Sequence, residues 1–249
     1  MLPRLACLSA ESADTCARVG AWPQVVAVSA YADQTGHTAR PVVSGFSSGD
    51  AQRILAHHPD LVLTFSDVQA DLCAALVRAG ATVFATNQRT LAESAATMRT
   101  TARLIGHADA GEQLAAEFET TLAHLRANPA RRPRVYFEEW PDPPIYGITW
   151  VSELIELAGG TDVFGDRRPP SARERAVTDA EIIAADPEII VASWCGKALD
   201  RPSLEQRLAP TSAVKSGRIF ELPGASILQP GWRLVEGAAQ MRKIFDAFE

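Results

Sequence analysis

The sequence predicts an α/β protein of two lobes, each a parallel sheet flanked by helices, joined by one long helix. Short apolar runs alternate with helical patterns in the first half of the 249-residue chain. A stretch of helix-forming residues from about 90 to 128 interrupts this alternation, which resumes after Pro133. Such alternation is typical of parallel sheets that helices cover on both faces.

The first lobe is predicted at residues 1–107. Its apolar runs predict buried strands at residues 5–8, 25–28, 61–63 and 82–85. Its helical patterns lie at residues 13–19, 50–57 and 70–79. Gly80 follows the last of these helices, as expected of a residue that ends a helix in the left-handed conformation.

The linker is predicted as one rigid helix within residues 108–128. Apolar residues recur there at spacings of three and four, which is typical of an amphipathic helix. Gly106 separates this helix from the preceding one, and Pro129 ends it. A helix over residues 108–127 is about 30 Å long, and its pattern is too short for a coiled-coil arm.

The second lobe is predicted at residues 129–249. Its predicted strands lie at residues 135–137, 189–192 and 218–221, with a loop from residue 138 to Tyr146. Its predicted helices lie at residues 151–158, 180–185 and 235–248. The first of these helices stops at Gly159.

The two lobes resemble each other in sequence. Residues 54–63 match residues 182–191, since both segments give a helix end, a proline followed by an acid, and a buried strand. Residues 79–84 and 215–220 match in the same order. This favours a duplicated lobe, although unrelated strand–helix–strand units converge on similar patterns. Ligands of open α/β sheets bind outside the carboxyl ends of the strands, which predicts a ligand cleft between the lobes.

Composition excludes several classes of function. The net charge is −6 and no basic stripe is present, which argues against binding to nucleic acid or to anionic lipid. No apolar run approaches the roughly 18 residues of a membrane span, so we expect no membrane insertion. The first residues lack the features of a signal peptide, so we expect a cytoplasmic protein, or a periplasmic one if a leader was removed. We also expect a monomer.

The loops that follow the predicted strands supply the candidate ligand-binding residues. Four of the five tryptophans fall in or beside the loops of the second lobe, and aromatic faces with a few polar groups suit a large, partly apolar ligand. The alternative is that these tryptophans fill the core of the lobe. The candidate residues are Ser9, Glu11, Tyr31, Phe65, Ser66, Asn87, Glu139, Trp140, Tyr146, Trp150, Trp194, Cys195, Lys197, Gln229 and Trp232.

Signals for catalysis are weaker. The chain has no GxSxG, HExxH or P-loop motif. Glu138 and Glu139 are adjacent in a strand and therefore point to opposite faces, so they cannot act as an acid/base pair. Cys195 lies near Lys197, which could lower the pKa of the thiol, but no histidine is close in sequence. We predict no catalytic residue and no enzymatic activity; an enzyme that uses Cys195 or Glu138 is the rival hypothesis.

Metal binding by side chains is not expected. The four cysteines form no CxxC pair, and histidines lie on unrelated segments, which argues against a structural zinc site. We predict no metal-ligating residue. His37 is the one histidine placed near the predicted cleft, and it is the alternative to that prediction.

An ordered set of motifs resembles the helix-linked solute-binding proteins of ABC importers, which carry cobalamin, haem and ferric siderophores. The set comprises SAES at residues 9–12, the long helix, WVSELI at residues 150–155 and DPEIIV at residues 186–191. More narrowly, YFEEWPDP at residues 136–143, SWCGK at residues 193–197 and ILQPG at residues 227–231 are similar to a subgroup of cobalamin-binding proteins that often lack a signal peptide.

The resemblance implies two Rossmann-like lobes and non-enzymatic binding of a corrinoid such as cobalamin, for uptake, storage or delivery. The corrinoid would be a ligand and not a catalytic cofactor. A haem or ferric siderophore carrier is the alternative, and an ABC permease is the implied partner protein.

Two departures from the family pattern bear on these implications. Tyr31 lies where the subgroup often has a stretch with a metal ligand, so a protein-to-cobalt bond is not expected. The position of the permease-docking acid in the second lobe is Ala180, flanked by Asp179 and Glu181, and the first-lobe position falls near Asp71.

Overall fold

A computed structural model describes residues 2–169 and 171–248. The chain divides into two compact units, unit 1 being Met1–Gln88 with Ala92–Glu119 and unit 2 being Arg89–Leu91 with Thr120–Glu249. The chain passes from unit 1 to unit 2 within a long helix, Ala108–Leu125. None of the helices in the described part of the chain combines the length and the apolar character needed to span a bilayer.

Unit 1 contains a parallel sheet. Its strands are β1 (Leu5–Cys7), β2 (Val25–Ser29), β3 (Val42–Ser44), β4 (Leu61–Phe65) and β5 (Val83–Thr86), in the order β3-β2-β1-β4-β5. The predicted strands are confirmed at nearly the predicted bounds. β3 was not predicted, because three residues give too short a pattern and β3 depends on pairing with β2.

The first five helices of the chain largely follow the predicted pattern. They are α1 (Ala10–Arg18), α2 (Ala51–Leu55), α3 (Ala70–Arg78), α4 (Leu91–Leu104) and the long helix α5 (Ala108–Leu125). Gly106 has a φ of +86° and separates α4 from α5, as predicted. The predicted loop at residues 9–12 is wrong, because α1 begins directly after Ser9, which has extended backbone, and places Glu11 in its first turn. An acidic residue in the first turn favours this early start.

Unit 2 contains a mixed sheet. Its strands are β6 (Arg134–Pro141), β7 (Pro144–Tyr146), β8 (Thr161–Asp162), β9 (Ile189–Ala192) and β10 (Ile219–Glu221). The order is β10-β9-β6-β7, with β8 also paired to β6. Strand β6 is parallel to β8 and to β9, and β9 is parallel to β10. Strand β7 is antiparallel to β6.

The predicted loop from residue 138 to Tyr146 is also wrong. β6 continues to Pro141, and the chain turns back so that Tyr146 of β7 pairs with Glu138 of β6. Glu138 directly follows the apolar run of residues 135–137, but it is fully buried and its carboxylate is bound by Arg207. A buried charge is compatible with a strand when a partner of opposite charge lies beside it.

The helices of unit 2 are α6 (Thr149–Leu157), α7 (Asp179–Ala185), α8 (Arg201–Arg207), α9 (Ser212–Lys215), α10 (Gly224–Ile227) and α11 (Leu234–Asp246). The predicted helices correspond to α6, α7 and α11. Thr178 and Glu181 form a reciprocal capping box that starts α7. Helices α8, α9 and α10 are short, and the sequence pattern did not predict them.

Each unit has its own apolar core. In unit 1, Val62 of β4 packs with Ile54 of α2 and Leu76 of α3. In unit 2, Tyr136 of β6 and Ile190 of β9 belong to one buried cluster. Both cores therefore lie between a sheet and the helices that cover it.

The internal repeat is visible at the start of both sheets. In unit 1, the backbone amide of Arg4 donates to Oδ2 of Asp60 at 2.8 Å. Nε of Arg4 donates to the carbonyl oxygen of His58 at 2.8 Å, and His58 has a left-handed φ of +50°.

The same arrangement recurs in unit 2. The amide of Arg134 donates to Oε2 of Glu188 at 3.0 Å, and Nε of Arg134 donates to the carbonyl of Asp186 at 3.0 Å. Asp186 has a φ of +43°. Each left-handed residue precedes the proline of its segment, so the segments matched in sequence also share their backbone and their hydrogen bonds. This supports the predicted duplication.

Candidate functional site

The carboxyl ends of the parallel strands in unit 1 form one edge of its sheet. Gln69, which is buried, connects the loops at this edge because its Nε2 donates to the carbonyl oxygens of Leu8 at 2.9 Å and Phe46 at 2.8 Å. The predicted site residues of unit 1 end β4 or follow β1, β2, β4 and β5, and therefore lie along this edge. They are Ser9, Glu11, Tyr31, Phe65, Ser66 and Asn87.

Glu11 is a buried carboxyl group at this edge. The residue is 7% exposed, and burial raises its pKa to about 7. Its Oε1 has no hydrogen-bond partner among the residues that the structure describes. Ser9 is buried beside it, and Ser9 Oγ donates to Ser12 Oγ at 3.0 Å. A buried acid of this kind can donate a hydrogen bond when protonated and accept one when charged.

The remaining candidates of unit 1 differ in exposure. Tyr31 and Asn87 are exposed, Ser66 is half-buried and Phe65 is buried. Tyr31 meets the ring of Phe46 edge-on, with ring centroids 6.2 Å apart. Tyr31 and Asn87 therefore offer surface to a ligand.

A cavity of about 350 Å³ lies beside Asn87 in unit 1. The strand residues Phe84 and Thr86 line it together with Thr97 and Thr100 of α4. Its volume is in the range that holds small ligands.

In unit 2, Glu138 is the centre of a buried polar network. Arg207 Nη2 donates to Oε1 at 2.8 Å and to Oε2 at 2.9 Å, Trp194 Nε1 donates to Oε1 at 3.0 Å, and the Tyr136 hydroxyl donates to Oε2 at 3.1 Å. Burial raises the pKa of Glu138, and the hydrogen bonds from Arg207 oppose that rise. Arg207 also donates to Asp179 at 2.6 Å.

The neighbouring Glu139 has a different arginine. Arg175, whose side chain is 4% exposed, donates from Nη1 to Oε2 at 2.6 Å and from Nη2 to Oε1 at 3.2 Å. Arg175 also donates to the carbonyl oxygen of Tyr146. The two adjacent glutamates are therefore bound by different arginines.

The tryptophans of unit 2 fall into two groups. Trp150 and Trp194 are 3% and 8% exposed, and Trp150 Nε1 donates to the carbonyl oxygen of Ile227 at 2.9 Å. This is the placement that the core-filling alternative predicts. Trp140 and Trp232 are half-buried and keep ring surface for a ligand.

Lys197 and Cys195 lie near Trp140, but Lys197 does not activate the Cys195 thiol. Lys197 Nζ lies 4.0 Å from the centroid of the Trp140 ring, a cation–π contact. Burial and the charge of Glu139 raise the pKa of the Cys195 thiol. The expectation that Lys197 lowers this pKa is therefore wrong, because Lys197 stacks on Trp140 and an acid is the charged group that acts on the thiol.

Tyr146 and Gln229 complete the candidates. Tyr146 is 2% exposed, and its ring lies 5.3 Å from that of Phe164, centroid to centroid, within the core of unit 2. Gln229 is half-buried and follows the short helix α10. Gln229 therefore has exposed surface, whereas Tyr146 contributes to the core.

Sequence reasoning missed the two arginines that fix the end of β6. Arg175 and Arg207 are 36 and 69 residues away from the glutamates they bind. No local pattern relates residues at such separations. Sequence reasoning included Ser193 in the SWCGK motif but not among the candidate site residues; Ser193 directly follows β9 and is 2% exposed.

The described residues contain no group of three or more histidine, cysteine, aspartate or glutamate side chains placed to hold a metal ion. His37 is exposed, and its ring packs against that of Trp22 with centroids 4.8 Å apart.

Comparison with known proteins agrees with the resemblance seen in the motifs. A cobalamin-binding protein of Halobacterium salinarum is 29% identical over 259 residues, which cover 97% of this chain and 69% of that protein. The periplasmic vitamin B12 binding protein BtuF of Vibrio cholerae has a similar fold, with a TM-score of 0.79, 20% identity and coverage of 98% of this chain and 97% of that one. The apo form of the periplasmic heme-binding protein RhuT of Roseiflexus sp. RS-1 gives a TM-score of 0.85, 22% identity and coverage of 100% of both chains.

The family model described as periplasmic binding protein matches residues 5–225, which is most of the chain. The predicted α/β sheets flanked by helices and the predicted family are thereby confirmed. This chain belongs to the periplasmic binding protein family.

Proposed function

We propose that this protein binds a corrinoid at the carboxyl ends of its β-strands and catalyses no reaction on it. The observation that carries this proposal is the similarity to a cobalamin-binding protein over 97% of the chain. The ring surfaces of Trp140 and Trp232 suit the face of a macrocycle, and Tyr31, Asn87 and Gln229 suit its polar substituents.

The state of the acidic and thiol groups supports binding rather than catalysis. Glu138 and Glu139 are each engaged by an arginine, which opposes a role as general acid or base. The raised pKa of Cys195 keeps its thiol protonated near neutral pH, and the thiolate is the nucleophilic form. The rival enzymes that use Cys195 or Glu138 are therefore not favoured.

Haem is the competing ligand, and one observation favours it. Haem iron takes an axial ligand such as histidine, cysteine, methionine or tyrosine. Tyr31 is 47% exposed at the carboxyl end of β2 and offers such a phenol. We place haem second because a relative that is 29% identical over 97% of the chain is named for cobalamin, whereas the haem-binding neighbour RhuT, at 22% identity, shows a shared fold alone.

We further propose that the chain works as a monomer and that, because we place it in the cytoplasm, it docks at most weakly to an ABC permease. Members of the importer family present acids to the permease. Here the acids that flank Ala180 make contacts within unit 2: Asp179 accepts from Arg207 at 2.6 Å, and Glu181 accepts from Arg167 at 3.1 Å. These ion pairs lower the charge available to a partner.

The cytoplasm is the location we propose. Cys7 and Cys16 are buried with their sulfur atoms 3.8 Å apart and are not linked by a disulfide. Neighbouring unlinked thiols suit a reducing compartment. Fractionation of cells that express the native gene tests this: recovery from the periplasm or from a membrane anchor would contradict it.

Calorimetric titration tests the ligand. The purified chain is titrated with hydroxocobalamin, dicyanocobinamide, haemin and a ferric catecholate. We expect saturable one-to-one binding of the two corrinoids, weaker binding of the other ligands, and recovery of the corrinoid chemically unchanged. Tight binding of haemin alone, abolished in Tyr31→Phe, would replace the corrinoid by haem, and conversion of a corrinoid to a product would contradict the non-enzymatic role.

A further inference from the structure

A second cavity lies in unit 2 at the carboxyl ends of β9 and β10. Its volume is about 330 Å³. Glu221 of β10 pairs in parallel with Ala192 of β9, so Ser193 and Leu222 leave the sheet side by side. The lining includes Ser193, Trp194, Lys197, Glu221, Leu222 and Gly224. This volume is at the lower end of the range for small ligands, so the cavity suits one arm of a macrocycle rather than the ring.

The wall of this cavity contains a buried hydroxyl group without a partner. Ser193 is 2% exposed, and its Oγ has no hydrogen bond to any residue that the structure describes. A Cβ atom built on Gly224 would lie 3.8 Å from this Oγ, so the hydroxyl and the first residue of α10 border the same space. Buried polar groups normally have a partner, and a ligand in the cavity would supply one.

Nearby Ser226 provides a contrast. Ser226 is also 2% exposed, but its Oγ donates to the carbonyl oxygen of Pro223 at 2.8 Å. Two serines of equal burial therefore differ in whether the protein itself satisfies their hydroxyl group.

Groups of opposite charge lie at the same cavity. Lys197 and Glu221 are both exposed and both line it. The ammonium group of Lys197 is held over the Trp140 ring at 4.0 Å. A lysine donates hydrogen bonds, a glutamate accepts them, and a serine hydroxyl does both.

This set of groups matches a primary carboxamide. An amide offers one acceptor oxygen for Lys197 or Ser193 and two donor hydrogens, of which Glu221 can accept one. A carboxylate offers acceptors only: it can bind Lys197, but it gives Glu221 no donor and is repelled by the charge of Glu221. Corrinoids such as cobalamin carry primary amide arms, whereas haem carries carboxylates.

We propose that this cavity is the subsite for one carboxamide arm of the corrinoid, and that Ser193 and Glu221 select amide-bearing rings over carboxylate-bearing ones. The inference rests on the proposed corrinoid-binding function. It explains how the protein would discriminate corrinoids from acidic tetrapyrroles, since residues that only stack on the ring would not distinguish the two.

The test compares two rings that differ in their arms. Dicyanocobinamide has amide arms, and dicyanocobyrinic acid has carboxylates in their place. We expect the wild-type chain to bind dicyanocobinamide more tightly at pH 7.5, by calorimetry. Ser193→Ala should weaken that binding about fivefold without lowering the Tm, since one neutral hydrogen bond to the ligand is lost and none within the protein. Glu221→Gln should reduce the preference for the amide ring about fivefold or more, because glutamine also donates to a carboxylate.

Two further variants make the test decisive. Gly224→Ala adds a methyl group in ordinary contact with Ser193 Oγ at 3.8 Å and Leu228 Cδ1 at 3.4 Å, and should also weaken dicyanocobinamide binding. Ser226→Ala is the matched control and should lower the Tm while leaving affinity unchanged. Wild-type affinity and preference in Ser193→Ala, Glu221→Gln and Gly224→Ala would overturn the subsite and leave the proposed function intact. Failure of the wild-type chain to bind either ring would instead overturn the proposed function.

Discussion

Arg207 binds both carboxylate oxygens of Glu138, with Nη2 at 2.8 Å from Oε1 and 2.9 Å from Oε2. The Glu138 side chain is fully buried and that of Arg207 is 20% exposed. The pair therefore fixes the carboxyl-terminal part of β6 to the end of α8, next to the strand ends that we assign to ligand binding.

Removal of Arg207 should be strongly destabilising. Arg207→Met leaves a buried carboxylate without its cation, and we expect a loss of about 3–5 kcal/mol in the free energy of unfolding. The double variant Glu138→Gln with Arg207→Met should recover part of that loss, because the charge is also removed. Urea denaturation measures both variants. Arg242→Met is the control, since the exposed ion pair of Arg242 with Asp246 contributes less than about 1 kcal/mol. Equal losses of stability in Arg207→Met and Arg242→Met would contradict a stabilising role of the buried pair.

Glu11 should make stability depend on pH. Its pKa is about 7 in the folded chain against an ordinary 4.5, because burial disfavours the charged form. The contribution of Glu11 to the free energy of unfolding is therefore largest at low pH. It is lost as the pH rises from 4.5, the ordinary pKa, through about 7, the pKa in the folded chain. Asp14, which pairs with Arg18 at 2.8 Å, adds to the rise of this pKa by its negative charge.

Glu11→Gln removes this dependence. At pH 8 we expect the variant to be more stable than the wild type by about 3 kcal/mol, and below pH 4.5 the difference should disappear. Glu236→Gln is a matched control, because Glu236 also lies in the first turn of a helix but is exposed. Thermal unfolding from pH 4 to pH 8 measures the effect; parallel curves for wild type and Glu11→Gln would contradict the raised pKa.

The strands with the strongest apolar runs could be predicted from the sequence because their signal is local. β4 and β9 are completely buried, and each follows a proline and an acid at a helix end. β3 and β7 have three residues each and exist through pairing with a neighbour, which a local pattern does not show. The same reason explains why the helix α10, of four residues, was not predicted.

The place of the candidate residues in the fold was predictable, but their contacts were not, and their role in ligand binding stays a prediction. Placement after the strand ends follows from the parallel sheet, and Tyr31, Asn87, Trp140 and Lys197 do have exposed surface there. Which tryptophan fills the core depends on packing, so Trp150 could not be separated from Trp140 by sequence alone.

Trp140 should report corrinoid binding. Its ring is half-buried with Lys197 above it at 4.0 Å, and a bound corrinoid should quench its fluorescence in a saturable manner. Trp140→Ala should weaken binding by about 1–3 kcal/mol, whereas Trp140→Phe should lose less because a ring remains. Trp22→Phe is the control, since Trp22 is 5% exposed and its Nε1 donates a hydrogen bond to the carbonyl oxygen of Thr38 in unit 1. Unchanged affinity in Trp140→Ala would remove this ring from the site.

Cys195 should react slowly with alkylating agents. Burial and the charge of Glu139 raise the pKa of its thiol, so its thiolate fraction at pH 7 falls below the few per cent of an ordinary thiol. We expect the native protein to react with iodoacetamide at Cys195 more slowly than glutathione does at the same pH, measured by mass spectrometry. The urea-unfolded chain is the control and should react at the ordinary rate. Faster reaction of the native protein than of glutathione would favour the enzyme hypothesis.

The last prediction concerns the cobalt ion of the bound corrinoid. No side chain should ligate it, so stacking and hydrogen bonds to the ring provide the binding. His37 packs against the Trp22 ring at 4.8 Å, and Nε2 of His107 lies 2.6 Å from Nε2 of Gln24, so both imidazoles already have contacts within unit 1. The Cys195 thiol, with its raised pKa, is mostly protonated and a poor ligand at neutral pH.

Hydroxocobalamin has an exchangeable axial position, and its visible bands should shift little when the protein is added. Cyanocobalamin, whose axial position is filled, is the control and should behave in the same way. A large shift with hydroxocobalamin alone, lost in His37→Ala or in Cys195→Ala, would contradict the prediction and identify the ligand.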